Sequence, residues 1–347
     1  MLTAHVARLD GDNPLANLAV GDLPEPEPRP GWSLVRVEAA SLNHHDLWTL
    51  RGRSSRPVQP PQILGCDAAG VVVAHGPGEL ADAPPPGTPV VVHSIVHCGH
   101  CPACLDGAEL YCREFGMLSE GSIAGSFAEL VSVPTANLIP RPPGLDAVAA
   151  ACLPTAYLTA YRMLFTRAAL HPGDTVLVQG ASGGVATASI LLARAAGIRV
   201  IATGRDAAKR EAAERLGADL AIASEQGAHR AVLAATDGRG VDAVIETVGA
   251  ATWELSVRSL RPDGAIVVAG ATTGDGPPAQ LTRLFWRQLR VLGSTMGTRA
   301  ELTALVRLVA SGAVTPLVDS TVPLADAADA FARLEAGDQQ GKIVLVP

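Results

Sequence analysis

The rhythm of apolar positions along the chain changes near Pro172. Before it, short apolar runs alternate with dense Pro and Gly punctuation. Candidate strands lie at residues 33–42, 70–74 and 89–93. They are separated by Pro24, Pro26, Pro28 and Pro30, by Pro57, Pro60 and Pro61, and by the turn at 84–87. Many short strands between such turns predict a barrel-like all-β domain. After Pro172, residues 175–179 form an apolar run suited to a strand buried on both faces. A glycine turn and an Ala-rich helix to Ala196 follow. Then come strand 199–203, helix 207–216, strand 220–223, helix 228–235, strand 242–246, helix 252–260 and strand 265–269. This βαβαβ order predicts an α/β fold, a doubly wound parallel sheet with helices on both faces. Strand 290–293 and helix 299–311 extend it. A tail of strand 318–322, helix 324–336 and strand 342–346 can rejoin the first domain. The predicted division is therefore 1–150, completed by about 315–347, and 151–314.

Composition narrows the classes. Of 347 residues 48% are hydrophobic and 18% charged, which excludes a disordered chain. Aromatics are 3%, so the core is aliphatic. A net charge of −7 argues against a general nucleic-acid binder. Residues 1–10 carry His5, Arg8 and Asp10 where a secretory signal would have a basic end and an apolar run. The most apolar stretch, 176–202, is broken by Gly180, Gly183, Gly184, Arg194 and Arg199, so no transmembrane helix and no membrane partner are expected. The expected location is the cytoplasm.

Four of the six cysteines fall within fifteen residues, at Cys98, Cys101, Cys104 and Cys112. In a reducing compartment that spacing points to metal rather than disulfides. Two-residue spacers let sulfurs converge, and four thiolates close a tetrahedron around Zn²⁺ with no open position. One structural zinc per chain is expected. His97 and His100 read as bystanders.

Residues 178–186, Val-Gln-Gly-Ala-Ser-Gly-Gly-Val-Ala, join a predicted strand to a predicted helix. In that context Ser182, Gly183, Gly184 and Val185 form a cradle for a pyrophosphate at the positive end of a helix. Ala186 stands where a third glycine is usual, a tolerated replacement. An NAD-selective site has an acidic residue about 20 positions on. Here Gly204 stands there, followed by Arg205, with Lys209 and Arg210 close by. An open glycine beside basic groups suits the 2′-phosphate of NADP(H). A solvated basic helix start is the alternative, and Asp206 could take the acidic role with a shifted loop.

Six segments together resemble one family over essentially the whole chain. They are Asn43-His44-His45-Asp46-Leu47-Trp48, residues 64–72 (Leu-Gly-Cys-Asp-Ala-Ala-Gly-Val-Val), the cysteine knot, Thr159-Ala160-Tyr161, residues 180–186, and Gly341-Lys342-Ile343-Val344. The chain resembles the medium-chain dehydrogenase/reductase superfamily of zinc-type alcohol dehydrogenases and quinone reductases. The resemblance implies a GroES-like β domain closed by the C-terminal tail, and a Rossmann domain between. It implies a cleft between domains, a homodimer joined near residues 290–293, and a small-molecule substrate. Catalytic-zinc members place their ligands where this chain has Asn43, Cys66 and Thr155, and Asp67 replaces a Glu. Neither Asn nor Thr is a normal zinc ligand. The pattern is similar to the quinone reductase-like branch, except that the structural knot is kept. Cys66, Asp67 and Cys152 could form a shifted second zinc site, or the two cysteines could be small buried apolar residues.

By the same resemblance, Thr159 lies beside the nicotinamide, His44 near the cofactor phosphates, and Lys342 on the cofactor side of the cleft. Gly270 could let backbone approach the cofactor. His45 occupies a proton-relay position and titrates near neutrality. Asn43 is the candidate oxyanion donor, and Asp46 either orients its neighbours or caps a helix. Either histidine could equally be structural. Trp48, Phe285 and Trp286 are candidates for an apolar pocket or for core. The expected activity is NADPH-dependent reduction of an activated C=C bond or quinone without catalytic zinc. The alternatives are a zinc alcohol dehydrogenase with a rearranged second site and a non-catalytic NADPH-binding protein.

Overall fold

The computed structural model describes residues 1–10, 13–78 and 82–347. The chain divides into two compact units, 1–156 with 297–347, and 157–296. Among the described residues no helix is long and apolar enough to cross a membrane.

The first unit is built on a seven-stranded sheet. Its path runs Leu138–Pro140, Pro89–Val92, Ala68–His75, Trp32–Ser41, Lys342–Val346 and Val318–Pro323, with Leu130–Pro134 also pairing with Trp32–Ser41. The C-terminal strand Lys342–Val346 pairs antiparallel with Trp32–Ser41, Val344 opposite Ser41 and Leu345 opposite Ala40. A smaller sheet joins Leu18–Asp22, Leu2–Val6 and Gln62–Ile63. Its strands are not among those expected from the apolar pattern. The core is aliphatic, with Leu50, Leu64, Leu118 and Leu138 fully buried. Phe127 meets Phe331 edge to face, ring centroids 6.0 Å apart.

Residues 297–314 fall in this unit, not in the sheet domain where the sequence reading placed them. Three contacts hold the start of helix Arg299–Ala310 to the first unit. The Arg299 backbone N–H donates to Glu109 at 2.5 Å, and its guanidinium to the carbonyls of Ala136 (2.6 Å) and Leu138 (3.2 Å). Next to it, His93 Nε2 bonds the Gly297 carbonyl at 2.9 Å.

The second unit is the predicted parallel sheet. Its strands are β1 (Thr175–Val178), β2 (Arg199–Gly204), β3 (Leu220–Ala223), β4 (Val241–Glu246), β5 (Leu260–Val268) and β6 (Arg290–Gly293). They lie in the order β3-β2-β1-β4-β5-β6, every pair parallel. This is the doubly wound arrangement whose strand order reverses beside β1. Helices α1 (Gly184–Ala195), α2 (Ala207–Leu216), α3 (His229–Ala235) and α4 (Trp253–Ser259) connect the strands. Every β1 residue is buried, as a strand covered on both faces requires. Residues 153–167, a short helix flanked by π-helical turns, lead in from the first unit.

Candidate functional site

In the first unit, the helix His44–Leu50 begins directly after the longest strand, so it projects residues 43–46 from the sheet's end. Asp46 accepts the Asn43 backbone N–H at 2.7 Å and the Gly65 N–H at 3.2 Å, and it is fully buried. It therefore caps the helix and ties it to the loop carrying Cys66 and Asp67, so a catalytic part for Asp46 gives way to an anchoring one. Asn43 is buried, and its amide is spent. Nδ2 donates to Asp67 Oδ2 (2.9 Å) and the Ser41 carbonyl (3.2 Å), while Oδ1 accepts from Lys342 Nζ at 2.6 Å. No amide hydrogen is left for a substrate oxygen, which corrects the expected oxyanion role.

Lys342 has partners in the first unit. Its ammonium is buried and donates to the Leu42 carbonyl and Asn43, so it is engaged within its own unit. Burial pushes the Asp67 carboxyl up. Lys342 opposes that push, followed by hydrogen bonds to Asn43, Thr155 and Ser41. Cys66 is fully buried beside Thr155, Sγ to Oγ1 3.4 Å, and burial raises its thiol.

His45 Nε2 lies 3.1 Å from Glu120 Oε1. Glu120 is held in turn by Ser55 Oγ (2.7 Å) and the Met117 N–H (3.2 Å). His45 Nδ1 is 3.9 Å from Asp46 Oδ1, beyond hydrogen-bond reach, and is buried without a partner. Burial by itself would lower the His45 pKa. The attraction of the nearby Asp46, Cys66 and Glu120 side chains outweighs it and holds the imidazole well above its ordinary 6.5. Glu120 is a residue that sequence reasoning missed, since it sits 75 positions away with no local motif. His44 is exposed and belongs to the first unit.

Of the two readings of Cys66, Asp67 and Cys152, the shifted metal site does not form, and both cysteines are fully buried. Cys152 turns to the Val148 carbonyl. The ligand atoms that do gather within 4.8 Å of one another belong to His45, Asp46 and Cys66. At the positions that the resemblance gives to metal ligation stand Asn43 and Thr155, whose side chains are not normal zinc ligands, and the thiol of Cys66.

The cysteine knot behaves differently. The thiols of Cys98, Cys101, Cys104 and Cys112 lie within 4.8 Å of one another. Individual Sγ–Sγ distances are 3.5 Å (Cys101–Cys104), 3.6 Å (Cys98–Cys112) and 3.9 Å (Cys98–Cys104). A tetrahedron with bonds of about 2.3 Å sets sulfurs about 3.8 Å apart, so this cage fits a zinc ion. Backbone N–H groups of Cys98, Cys101 and Glu114 point at its sulfurs.

In the second unit, the turn after β1 needs Gly180 at φ +76°, and no atom lies within 4 Å of where a Gly183 Cβ would be. The open turn feeds the twelve-residue α1 at Gly184, so Ser182, Gly183, Gly184 and Val185 fit a pyrophosphate. Beneath it runs a buried polar chain that sequence reasoning missed. Gly180 N–H donates to Thr203 Oγ1 (3.1 Å), Thr203 to Gln179 (2.7 Å), Gln179 to Ser256 (2.9 Å), and Ser256 to Glu246 (2.6 Å).

At the end of β2, a Cβ on Gly204 would meet Arg210 Cγ at 2.9 Å, so the glycine lets Arg210 fold over the strand and donate to the Gly204 carbonyl at 3.2 Å. Arg205 is exposed beside it, and Lys209 lies one turn on. Asp206 caps α2 through the Lys209 N–H at 2.8 Å. Thr159 is buried on helix Leu158–Tyr161. Gly270 has a reason within the protein, because a Cβ there would sit 3.0 Å from the Thr247 carbonyl. Phe285 and Trp286 are neither pocket nor core. With Leu281 and Val291 they are exposed, beside the edge strand β6.

A glycine turn at the switch point of a doubly wound sheet, in a chain with a β unit carrying a cysteine cage, defines a two-domain, dinucleotide-dependent oxidoreductase. Residues 29–143 match the alcohol dehydrogenase GroES-like domain and 184–311 the zinc-binding dehydrogenase domain. The chain belongs to the medium-chain dehydrogenase/reductase superfamily. It is 29% identical to an acryloyl-coenzyme A reductase of Metallosphaera sedula, over 94% of this chain and 95% of that one. An NAD-dependent alcohol dehydrogenase structure superposes with a TM-score of 0.93 at 37% identity, each chain covered in full. A 2-octenoyl-CoA carboxylase reductase, solved with NADP and 2-octenoyl-CoA, gives 0.91 at 29% identity, covering 99% of this chain and 87% of that one.

Proposed function

We propose that this oxidoreductase uses NADPH to reduce a C=C bond conjugated to a carbonyl, or a quinone, without a catalytic zinc. The observation that carries the reading is the content of the ligand positions. Asn43 and Thr155 do not bind zinc, and Asn43 is committed to Asp67 and Lys342. A simple carbonyl needs strong polarisation before it accepts hydride, whereas a conjugated acceptor spreads the charge onto a distant oxygen. The likeness to acyl-CoA reductases supports the same class. Bound NADPH supplies the hydride. Gly204, Arg205 and Lys209 favour its 2′-phosphate. His45, kept protonated by Glu120, carries the proton, and its unpartnered Nδ1 replaces Asn43 as the donor to the developing oxyanion.

Zinc in the cysteine cage serves the fold, because four thiolates leave no open position. The chain works as a cytoplasmic homodimer. The exposed Leu281, Phe285, Trp286 and Val291 beside the edge strand support an apolar joint there.

The test is steady-state NADPH oxidation with enones, enoyl thioesters, quinones and saturated aldehydes. Conjugated acceptors turn over fastest if the reading holds; faster saturated aldehydes overturn it. One observation favours a second reading, the gathering of His45, Asp46 and Cys66. Alcohol oxidation that requires a second zinc per chain would select it. Tight NADPH binding with no turnover on any acceptor would select a non-catalytic role.

A further inference from the structure

Side chains at the carboxyl ends of β1, β2 and β4 form one hydrogen-bonded series beneath the glycine turn, and it runs in a single direction. It starts at Glu246, the last residue of β4. This carboxyl is fully buried, and every partner it has among the described residues is a donor. They are the backbone N–H groups of Val248 (2.8 Å) and Gly249 (3.0 Å) and the hydroxyls of Thr252 (2.9 Å) and Ser256 (2.6 Å). Ser256, on α4, therefore spends its one hydrogen on Glu246, and its oxygen accepts from Gln179 Nε2. That fixes the sense of the Gln179 amide, whose Oε1 takes the Thr203 hydroxyl hydrogen. Thr203 Oγ1 is left to accept, and it takes the Gly180 N–H, while the Thr203 carbonyl takes the Ala181 N–H at 2.8 Å. Gln179, Thr203 and Ser256 are all buried.

We propose that Gln179, Thr203 and Ser256, with Glu246 setting their direction, are positioning residues for the dinucleotide. They hold the glycine turn in its binding form before a cofactor arrives, and they act through the backbone of the turn. Drawing the Gly180 N–H inward leaves the pyrophosphate to residues 182–185. The turn has little else around it, since Gly180 stands at φ +76° and there is open space to 4 Å about a Gly183 Cβ. Loss of the Thr203 hydroxyl leaves a buried N–H and a buried amide oxygen unpaired, which costs more than an ordinary hydrogen bond contributes. The turn escapes that cost by opening to water. The cofactor must then reclose it, so its apparent affinity falls with the fraction of protein still closed. The effect falls on NADPH and NADH alike, because both carry the pyrophosphate. The proposal rests on the reading that a dinucleotide occupies this turn, and is independent of the acceptor reduced.

The experiment uses full-length protein. It measures the dissociation constants of NADPH and NADH by fluorescence titration, and hydrogen exchange of the peptide around Gly180 without cofactor. Thr203→Val keeps the shape and the β-branch; it binds both cofactors roughly tenfold or more weakly, by the same factor, and exchanges faster around Gly180. Thr203→Ser keeps the hydroxyl and binds as the native protein does. Ser256→Ala removes the acceptor of Gln179 and weakens both cofactors severalfold; it carries the test alone if Thr203→Val does not fold. Native affinity for both cofactors in folded Thr203→Val overturns the proposal, as does an equal loss in Thr203→Ser or native affinity in Ser256→Ala. A loss confined to NADPH also overturns it, since the effect would then lie at the 2′-phosphate. Failure of the proposed reaction shows separately, as tight cofactor binding without turnover of conjugated acceptors.

Discussion

Replacing Glu120 by Gln tests whether His45 is the proton carrier. The two groups are 3.1 Å apart, with side chains 15% and 4% exposed. At that separation unit charges attract by about 5 kcal/mol at an effective dielectric of about 20. Desolvation of both groups takes back most of this. If only a quarter survives, about 1.4 kcal/mol, the protonation equilibrium moves by about one pH unit. Gln keeps the shape and can still accept from Ser55 and the Met117 N–H, so the fold is preserved. Its amide then faces His45 Nε2 and favours a neutral ring. Because the native His45 pKa is raised, activity that needs its proton persists above the ordinary imidazole range and falls as pH rises through the raised value. The stabilisation from charged His45 follows the same course, complete below about 6.5 and lost on that rise. The assay is the pH profile of kcat/KM for NADPH oxidation with an enone. In Glu120→Gln the alkaline fall begins about one pH unit lower or more, while NADPH affinity is unchanged. An unmoved alkaline limb in a folded variant refutes the assignment.

Three further outcomes follow from the geometry. Arg205→Ala weakens NADPH binding by roughly tenfold or more and leaves NADH binding unchanged, measured by fluorescence titration; equal losses for both would contradict a 2′-phosphate contact. Elemental analysis finds one zinc per chain, and Cys104→Ser loses it with a clear fall in melting temperature; a variant that loses zinc yet keeps its Tm contradicts a structural metal. Phe331→Ala, which empties a fully buried ring site against Phe127, costs about 3–5 kcal/mol in denaturant unfolding; a cost under about 1 kcal/mol would show that the site collapses freely.

What the sequence made legible was local. The cysteine spacing, the glycine turn between a strand and a helix, and the alternation of β2 to β5 with their helices are each written within a few dozen residues. The site in the first unit is not. Its contacts join Asn43 to Lys342 and Asp67, and His45 to Glu120, across spans of 299, 24 and 75 positions. Those contacts depend on how distant strands pair. Resemblance alone places Lys342 on the cofactor side of the cleft; the antiparallel register against Trp32–Ser41 shows it buried on Asn43. The same limit explains Phe285 and Trp286, whose apolar character is indistinguishable in sequence from core but which lie exposed beside an edge strand. Helix Arg299–Ala310 continued the α/β rhythm, yet the bonds from Arg299 to Glu109, Ala136 and Leu138 hold it to the other unit.

The position of the transferred hydride tests the central claim most directly. NADPH deuterated at the C4 position that the enzyme uses is oxidised with an α,β-unsaturated ketone, and the product is examined by NMR and mass spectrometry. The account predicts a saturated ketone with deuterium on the β-carbon and a solvent proton on the α-carbon. An allylic alcohol with deuterium on the carbinol carbon would contradict it.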